Sequence, residues 1–339
     1  MTEKIKQIFS TRQMVYLVAA FAAVYILWGS TYLAIRYAIE TLPPLLMASA
    51  RFLISGAILF AIARFSRDYE RPTAKHWRTS LIVGTLLLLG GNGGVVLAEK
   101  YVSSSVAALL VASEPFWVVL LSWLWLKNAR PTLRMTLGLI VGFFGVALLI
   151  GGNLHSLSGD GSSTGILAMV LLLIATLSWA VGSLYGLKAP VPKSAILTAG
   201  MQMLAGGTVL GVVGTLRGEA TTFDPSQVSS ASLWGLAYLI VFGAIIGYTA
   251  YSWLLKNTKP EMVATYAYVN PMIAVLLGWF IAGESLTPTM LVGAAIVVGS
   301  VALITSKEKS DDPNIEEPVT ETPPMVFAPQ HECAQAASA

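Results

Sequence analysis

The residue best placed to do chemistry in this 339-residue chain is Glu114, a carboxylate inside a long apolar stretch and followed directly by Pro115. A charge at the centre of a membrane span costs about 2.5 to 3.5 kcal/mol on insertion scales, so it is kept where it meets a cavity, a partner or a ligand. Pro115 removes a backbone donor and disturbs the helix at the same place. Further along, Asn270-Pro271 offers an uncharged donor and acceptor in the same setting. Arg51 lies about seven residues into another apolar stretch, roughly 10 Å along a helix. Three roles are open to it: pairing with Glu114, binding a substrate carboxylate, or anchoring by snorkelling to the interface. A partnerless Glu114 could carry a proton instead.

Trp28, Ser30 and Tyr32, Trp179 and Ser183, Tyr248 and Tyr251, and Tyr266 sit in the same stretches. Aromatic residues at span ends ordinarily form interfacial belts, so only Trp28, Trp179 and Tyr266 are taken as pocket candidates. Tyr266 and Asn270 are four apart and share a helix face. Asn92, inside Gly90-Gly91-Asn92-Gly93-Gly94, marks either a broken stretch of helix or a close helix contact. The candidate substrate-binding set is therefore Glu114, Asn270, Tyr266, Trp28, Trp179, Arg51 and Asn92.

Other chemistries find little support. Gly161-Ser162-Ser163-Thr164-Gly165 fits the serine-hydrolase pattern G-x-S-x-G but lacks its strand-turn-helix setting. His76 and His155 fall on opposite sides, and His331 lies in the tail. No Walker-type phosphate loop occurs. The lone Cys333 excludes an intramolecular disulfide or a multi-cysteine metal site. No enzyme activity, cofactor or metal is expected, and the basic residues form no single patch for nucleic acid.

The elements that must hold these residues are membrane helices. Hydrophobic residues make up 55% of the chain and charged ones 12%, against roughly 25% charged in ordinary soluble domains. The mean hydropathy is +0.70. Apolar stretches fall at about 14–35, 44–64, 79–98, 104–125, 133–151, 164–186, 194–216, 232–254, 262–282 and 289–305. Each approaches the roughly 20 residues a helix needs to cross a bilayer, and helices satisfy their own backbone there. Seventeen of the 21 Lys and Arg residues fall on one side, Arg36, Lys100 and Arg217 on the other, and Arg51 within a span. By the positive-inside rule both termini are cytoplasmic.

The chain also repeats itself. Val106-Ala107-Ala108 and Glu114-Pro115 through Trp123 align with Met262-Val263-Ala264 and Asn270-Pro271 through Trp279 at one constant offset, and Trp28 aligns with Trp179. Each copy holds five spans, an odd number, so the second enters the membrane from the opposite face. Inverted repeats of this kind place a midplane site between halves that open alternately. The expected layout is a cytoplasmic N-terminus (1–13), a first five-helix repeat (14–151), a periplasmic linker (152–163), a second repeat (164–305) and a disordered cytoplasmic tail (306–339). The tail is rich in Pro, Glu, Asp and Ser, a composition that buries too little surface to order itself.

Trp28-Gly29-Ser30-Thr31-Tyr32, Pro43-Pro44, Arg51-Phe52, Gly91-Asn92-Gly93, Ala107-Ala108-Leu109-Leu110, and Tyr268-Val269-Asn270-Pro271 ahead of Gly283-Glu284 together resemble the EamA family of the drug/metabolite transporter superfamily, close to its YedA-like branch. The resemblance implies an all-α fold of ten transmembrane helices in two EamA repeats, in the bacterial cytoplasmic (inner) membrane. It also implies a cavity walled by spans one, three, four, six, eight and nine, and export of amino acids, related metabolites or toxic compounds. Glu114 departs from the uncharged residue expected before Pro115 in that branch. The leading reading is a secondary transporter, an exporter of a small polar metabolite, with the proton as a candidate coupling ion and the lipid bilayer as its surroundings. The rival is a membrane scaffold or sensor signalling through the acidic tail.

Overall fold

Local chemistry sets where the helices begin and end. A computed structural model describes residues 2–66, 69–102, 104–128, 130–150, 163–282 and 287–305. The linker residues 152–162, the Gly283-Glu284 motif and the tail 306–339 lie outside the described residues, with Gly161, Ser162, His155, His331 and Cys333 among them. The helices are α1 (Thr2–Ala38), α2 (Pro44–Arg64), α3 (Ala74–Gly84), α4 (Gly94–Ala98), α5 (Ser104–Val111), α6 (Glu114–Leu124), α7 (Leu133–Ile150), α8 (Ser163–Lys188), α9 (Ala195–Leu216), α10 (Glu219–Thr222), α11 (Ser230–Tyr238), α12 (Thr249–Asn257), α13 (Pro260–Val263), α14 (Tyr266–Ala282) and α15 (Pro288–Thr305). Two wider, π-helical windings, Thr85–Gly93 and Leu239–Tyr248, join α3 to α4 and α11 to α12.

Each of the ten expected spans is occupied by helix. Eight are apolar over at least 18 residues, among them Ala74–Ala98 and Ser230–Asn257, which run through the π windings. The fifth is α7 and the ninth is α13 with α14. The first helix starts at Thr2, well before the apolar span that begins at Gln13. Lys, Gln and Arg are good helix formers and let the winding continue into the polar segment.

Pro44 opens α2 at a position where no backbone donor is needed. The Glu219 carboxylate accepts from the Leu45 and Leu46 amides at 2.9 and 3.0 Å, tying α10 to that helix start. Thr73 and His76 form a reciprocal cap on α3, and the Ser194 and Ser229 hydroxyls cap α9 and α11. Gly218, left-handed at φ +81°, ends α9.

The most extensive pairings are α2 with α9 and α7 with α15, each joining a helix of one repeat to its counterpart in the other. Glycines bring backbones together at the first of these seams and beside it. A Cβ on Gly84 would lie 2.5 Å from the Gln202 carbonyl oxygen, and one on Gly206 would lie 2.5 Å from the Gly84 carbonyl oxygen. Gly207 of Gly207-x-x-x-Gly211 accepts from the Ser49 hydroxyl at 2.7 Å, while Gly138-x-x-x-Gly142 receives Ile304 and Ser300 of α15. Large apolar side chains such as Phe144, Trp234 and Phe280 face outward, as suits a lipid-facing surface.

Candidate functional site

Glu114 owes its place to a break in the fourth span. The Ser113 hydroxyl donates to the Leu110 carbonyl at 2.6 Å, α5 stops, and α6 starts anew at Glu114. Pro115 therefore stands in the first turn of a helix, where its missing donor costs nothing, rather than inside one. The carboxylate sits at the positive end of the α6 dipole. It is 2% exposed and accepts a hydrogen bond from the Tyr266 hydroxyl. The ninth span breaks one turn earlier relative to the repeat, between α13 and α14, so Pro271 lies within α14 and the two copies are not superimposable here.

Arg51 is 4% exposed, and its Nε and Nη1 have no hydrogen-bond partner. It neither snorkels to the surface nor forms an ion pair with Glu114. Its guanidinium lies 4.7 Å from the Phe52 ring and against Gly243, where a Cβ would come within 2.7 Å of Nη2. Gly243 thus belongs to a surface that receives a site residue, and its neighbour Gly247 packs against the Trp28 indole. Gly243 lines the cavity as well.

Asn270 is buried. In the orientation its surroundings dictate, its amide nitrogen donates to the Tyr266 and Tyr25 carbonyls at 3.1 and 3.2 Å, linking α14 to α1. Asn92 projects from the first π winding, and its side-chain oxygen is buried without a partner. The glycine-rich stretch around it is a continuous widened helix rather than a broken one. It also forms the close contact: Gly91 lies against the Trp179 ring and Gly90 against the Ser178 hydroxyl.

Trp28 organises the aromatic part. Its indole nitrogen donates to the Gly243 carbonyl at 3.0 Å, and its ring meets Trp179 edge-on at 5.5 Å, Tyr266 edge-on at 4.9 Å and Tyr251 tilted at 5.0 Å. Edge-to-face geometry of this kind adds about 0.5 to 1.5 kcal/mol per pair beyond burial. Trp179 donates to the Tyr251 hydroxyl at 2.9 Å, Ser183 shares a hydrogen bond with the same hydroxyl at 2.5 Å, and Tyr248 donates to Gln202 at 2.8 Å.

All seven sequence candidates line one cavity. It reaches from Glu114 and Trp179 at mid-span toward Ile35 and Val95 near the end of the bundle where α1 finishes. All six expected walls contribute side chains, the third through Asn92 and Val95, and the second span adds Arg51 and Phe52 to the set. A second, smaller cavity lies toward the opposite end, lined by Thr198, Gln202, Ser252 and Lys256. Tyr248 borders both, so the hydrogen-bonded layer of Trp179, Tyr251, Ser183, Tyr248 and Gln202 stands between them. On the far side the Lys256 ammonium donates to the Pro192 carbonyl at 2.8 Å and the Thr198 hydroxyl at 3.1 Å.

Thr31, Tyr32, Thr176 and Tyr248 are polar wall residues that sequence reasoning did not select. Tyr32 follows Trp28 by four and Thr176 precedes Trp179 by three, so helical spacing from a chosen aromatic would have found both. Among the described residues no group of three His, Cys, Asp or Glu is placed to hold a metal.

The EamA-like transporter family matches the chain twice, over residues 13–151 and 166–306. The chain belongs to this family. Its second-copy match begins beyond the segment that separates the five-helix units. This EamA-like chain is 37% identical over 296 residues to the uncharacterized inner membrane transporter YedA of Escherichia coli (strain K12), covering 87% of the chain and 92% of that protein. It is 26% identical over 305 residues to the uncharacterized transporter YvbV of Bacillus subtilis (strain 168), covering 90% and 95%. A crystal structure 20% identical in sequence shares the fold with a TM-score of 0.67, covering 86% of this chain and 97% of that one.

Proposed function

We propose that this EamA-like protein is a secondary exporter of small zwitterionic metabolites, the amino acids and their close relatives, working by alternating access in the bacterial inner membrane with both termini cytoplasmic. The observation that carries the reading is that Arg51 and Glu114 line one cavity without pairing with each other. An amino acid brings a carboxylate and an ammonium on one carbon, and so offers each charge the partner it lacks. Charge-assisted hydrogen bonds of this type contribute about 1.5 to 3 kcal/mol each. Trp28, Trp179 and Tyr266 supply a π-rich wall for the ammonium and the apolar part of the ligand. Asn92 and Asn270 complete the polar lining.

Glu114 also supplies a reason for exchange. One carboxylate holds either the substrate ammonium or a proton, not both, so release of substrate outward and entry of a proton become linked steps. The layer around Tyr251 and Tyr248 closes the cavity from the cytoplasmic side in this arrangement, and its opening is the other half of the cycle. Nothing in this scheme asks for a bond to be made or broken in the substrate, and the protein acts as a carrier rather than an enzyme.

The test is counterflow in proteoliposomes loaded with amino acids, nucleobases or cationic toxicants. Amino acids are expected to exchange with labelled amino acid outside. Absence of amino-acid counterflow alongside robust toxicant counterflow would refute the zwitterion assignment.

A further inference from the structure

Glu99 is a second acidic group that the exchange scheme leaves unused. It stands one residue beyond the third span, Ala74–Ala98, on the side that carries Arg36, Lys100 and Arg217. Its backbone amide closes the last turn onto the Val95 carbonyl at 3.0 Å. Val95 is part of the cavity wall, and Glu99, four residues on, continues the same face one turn outward. A carboxylate at a span end next to a lysine would ordinarily reach for solvent. Here both side-chain oxygens are buried and neither has a hydrogen-bond partner. An unpaired buried carboxylate is costly, and the cost is relieved if it carries a proton.

The surroundings supply few charges. From α1 come the Arg36 guanidinium, whose field reaches Glu99, and the Tyr32 phenol. Of the helices packed against α4, α8 has its titratable groups, Tyr185 and Lys188, at the far end, and α2 offers Arg51 in the cavity and Arg64 at the opposite end. Burial pushes the Glu99 carboxyl up to about 8, with Arg36 pulling the other way. Tyr32 lines the cavity and lies within electrostatic reach of both Glu99 and Glu114. Glu114 accepts from Tyr266 and both Glu99 oxygens are without a partner, so a relay through Tyr32 needs its hydroxyl to turn to each carboxylate.

We propose that Glu99 is a proton-binding site at the outer mouth of the cavity, exchanging its proton with Glu114 by way of the Tyr32 hydroxyl. The inference rests on the proton-for-substrate reading of Glu114. The transfer balances without a phenolate: Tyr32 accepts a proton from protonated Glu99 on its oxygen as it gives its own to the Glu114 carboxylate, and Glu99 is left ionised to take the next proton from outside. Substrate leaves through the same mouth, so protonated Glu99 also spares the departing ammonium an anionic trap at the exit.

The experiment uses the full-length protein in liposomes, comparing wild type, Glu99→Gln and Glu114→Gln with labelled amino acid as the probe. Glu99→Gln is expected to keep counterflow, which needs no net proton movement, and to lose about tenfold or more of the accumulation driven by a pH gradient. Infrared titration of Glu114→Gln in lipid is expected to retain a buried carboxyl that ionises near pH 8, and Glu99→Gln in that background removes it. Wild-type gradient-driven accumulation in Glu99→Gln, or no carboxyl ionising above about pH 6 in Glu114→Gln, overturns the proposal. Gradient-driven accumulation that survives Glu114→Gln defeats the exchange reading itself. The infrared result still reports on Glu99 separately, whether or not the transport variants fold well enough to assay.

Discussion

At the scale of single residues, the unpaired state of Arg51 is the feature with the widest consequences. Arg51→Gln is expected to weaken binding of labelled amino acid by roughly 10- to 100-fold, the equivalent of one charge-assisted hydrogen bond, with folded protein retained on size exclusion. Arg51→Met should abolish binding and yet raise the melting temperature, because a buried guanidinium with free nitrogens is traded for an apolar side chain of similar reach. A lower melting temperature in Arg51→Met would assign the arginine to structure. Glu99 gives a pH-dependent counterpart. Its carboxyl is held well above its ordinary value of 4.5, at about 8, so the folded state binds a proton that the unfolded state has released between those two values. Wild-type stability should therefore decline relative to Glu99→Gln as pH rises from about 4.5 to about 8, and the two should converge below that window, as read by thermal melts across pH. The placement of Glu114, Arg51, Asn270 and the three aromatics in one cavity was legible, because intramembrane polar groups need an inward face. Glu99 was not, since the groups whose fields it meets, Arg36 and Tyr32 of α1, are distant in sequence, and Lys100 beside it suggests an ordinary exposed end.

At the scale of elements, apolar run length located the ten spans because a bilayer sets a minimum helix length, whereas what happens inside a span was harder to read. Pro115 starts α6 and Pro271 sits within α14, although both follow a polar residue in aligned copies. The difference comes from where each span restarts, which depends on packing and not on the proline itself. Glycine has the same ambiguity, and the structure resolves it case by case. Gly84→Ala is expected to destabilise by about 1 to 3 kcal/mol, since its Cβ would meet backbone that cannot swing aside. Gly299→Ala, with open space around it, should instead stabilise α15 by roughly 0.5 to 1 kcal/mol. Chemical or thermal denaturation in detergent checks both, and equal effects at the two sites would contradict the α3–α9 seam.

At the scale of the whole molecule, the two cavities and the layer between them define what must move. Tyr248→Phe removes the bond to Gln202, a loss of about 1 kcal/mol. It should raise the rate at which a cysteine placed at Ser252, on the wall of the second cavity, is labelled by a reagent applied across the layer from that cavity by about fivefold. The assay requires Cys333→Ser as its background, and an unchanged labelling rate would show that this bond does not hold the layer shut. The division into two repeats was legible from the alignment of the chain with itself. The two-cavity layout was not, because it depends on which rings meet across the axis.

The paired π windings have a historical consequence. Such winding makes up well under 1% of residues in proteins, yet Thr85–Gly93 and Leu239–Tyr248 fall at equivalent points of the two copies, 154 positions apart at their starts. The simplest ancestry is that the widened turn was present before the gene doubled. The ancestor was then a single five-helix unit that met an upside-down copy of itself to build one cavity, with the same turn entering from both sides. Fusion preserved that turn in both copies while the spans around Pro115 and Pro271 diverged in backbone and side chain, leaving a carboxylate in one copy and an amide in the other.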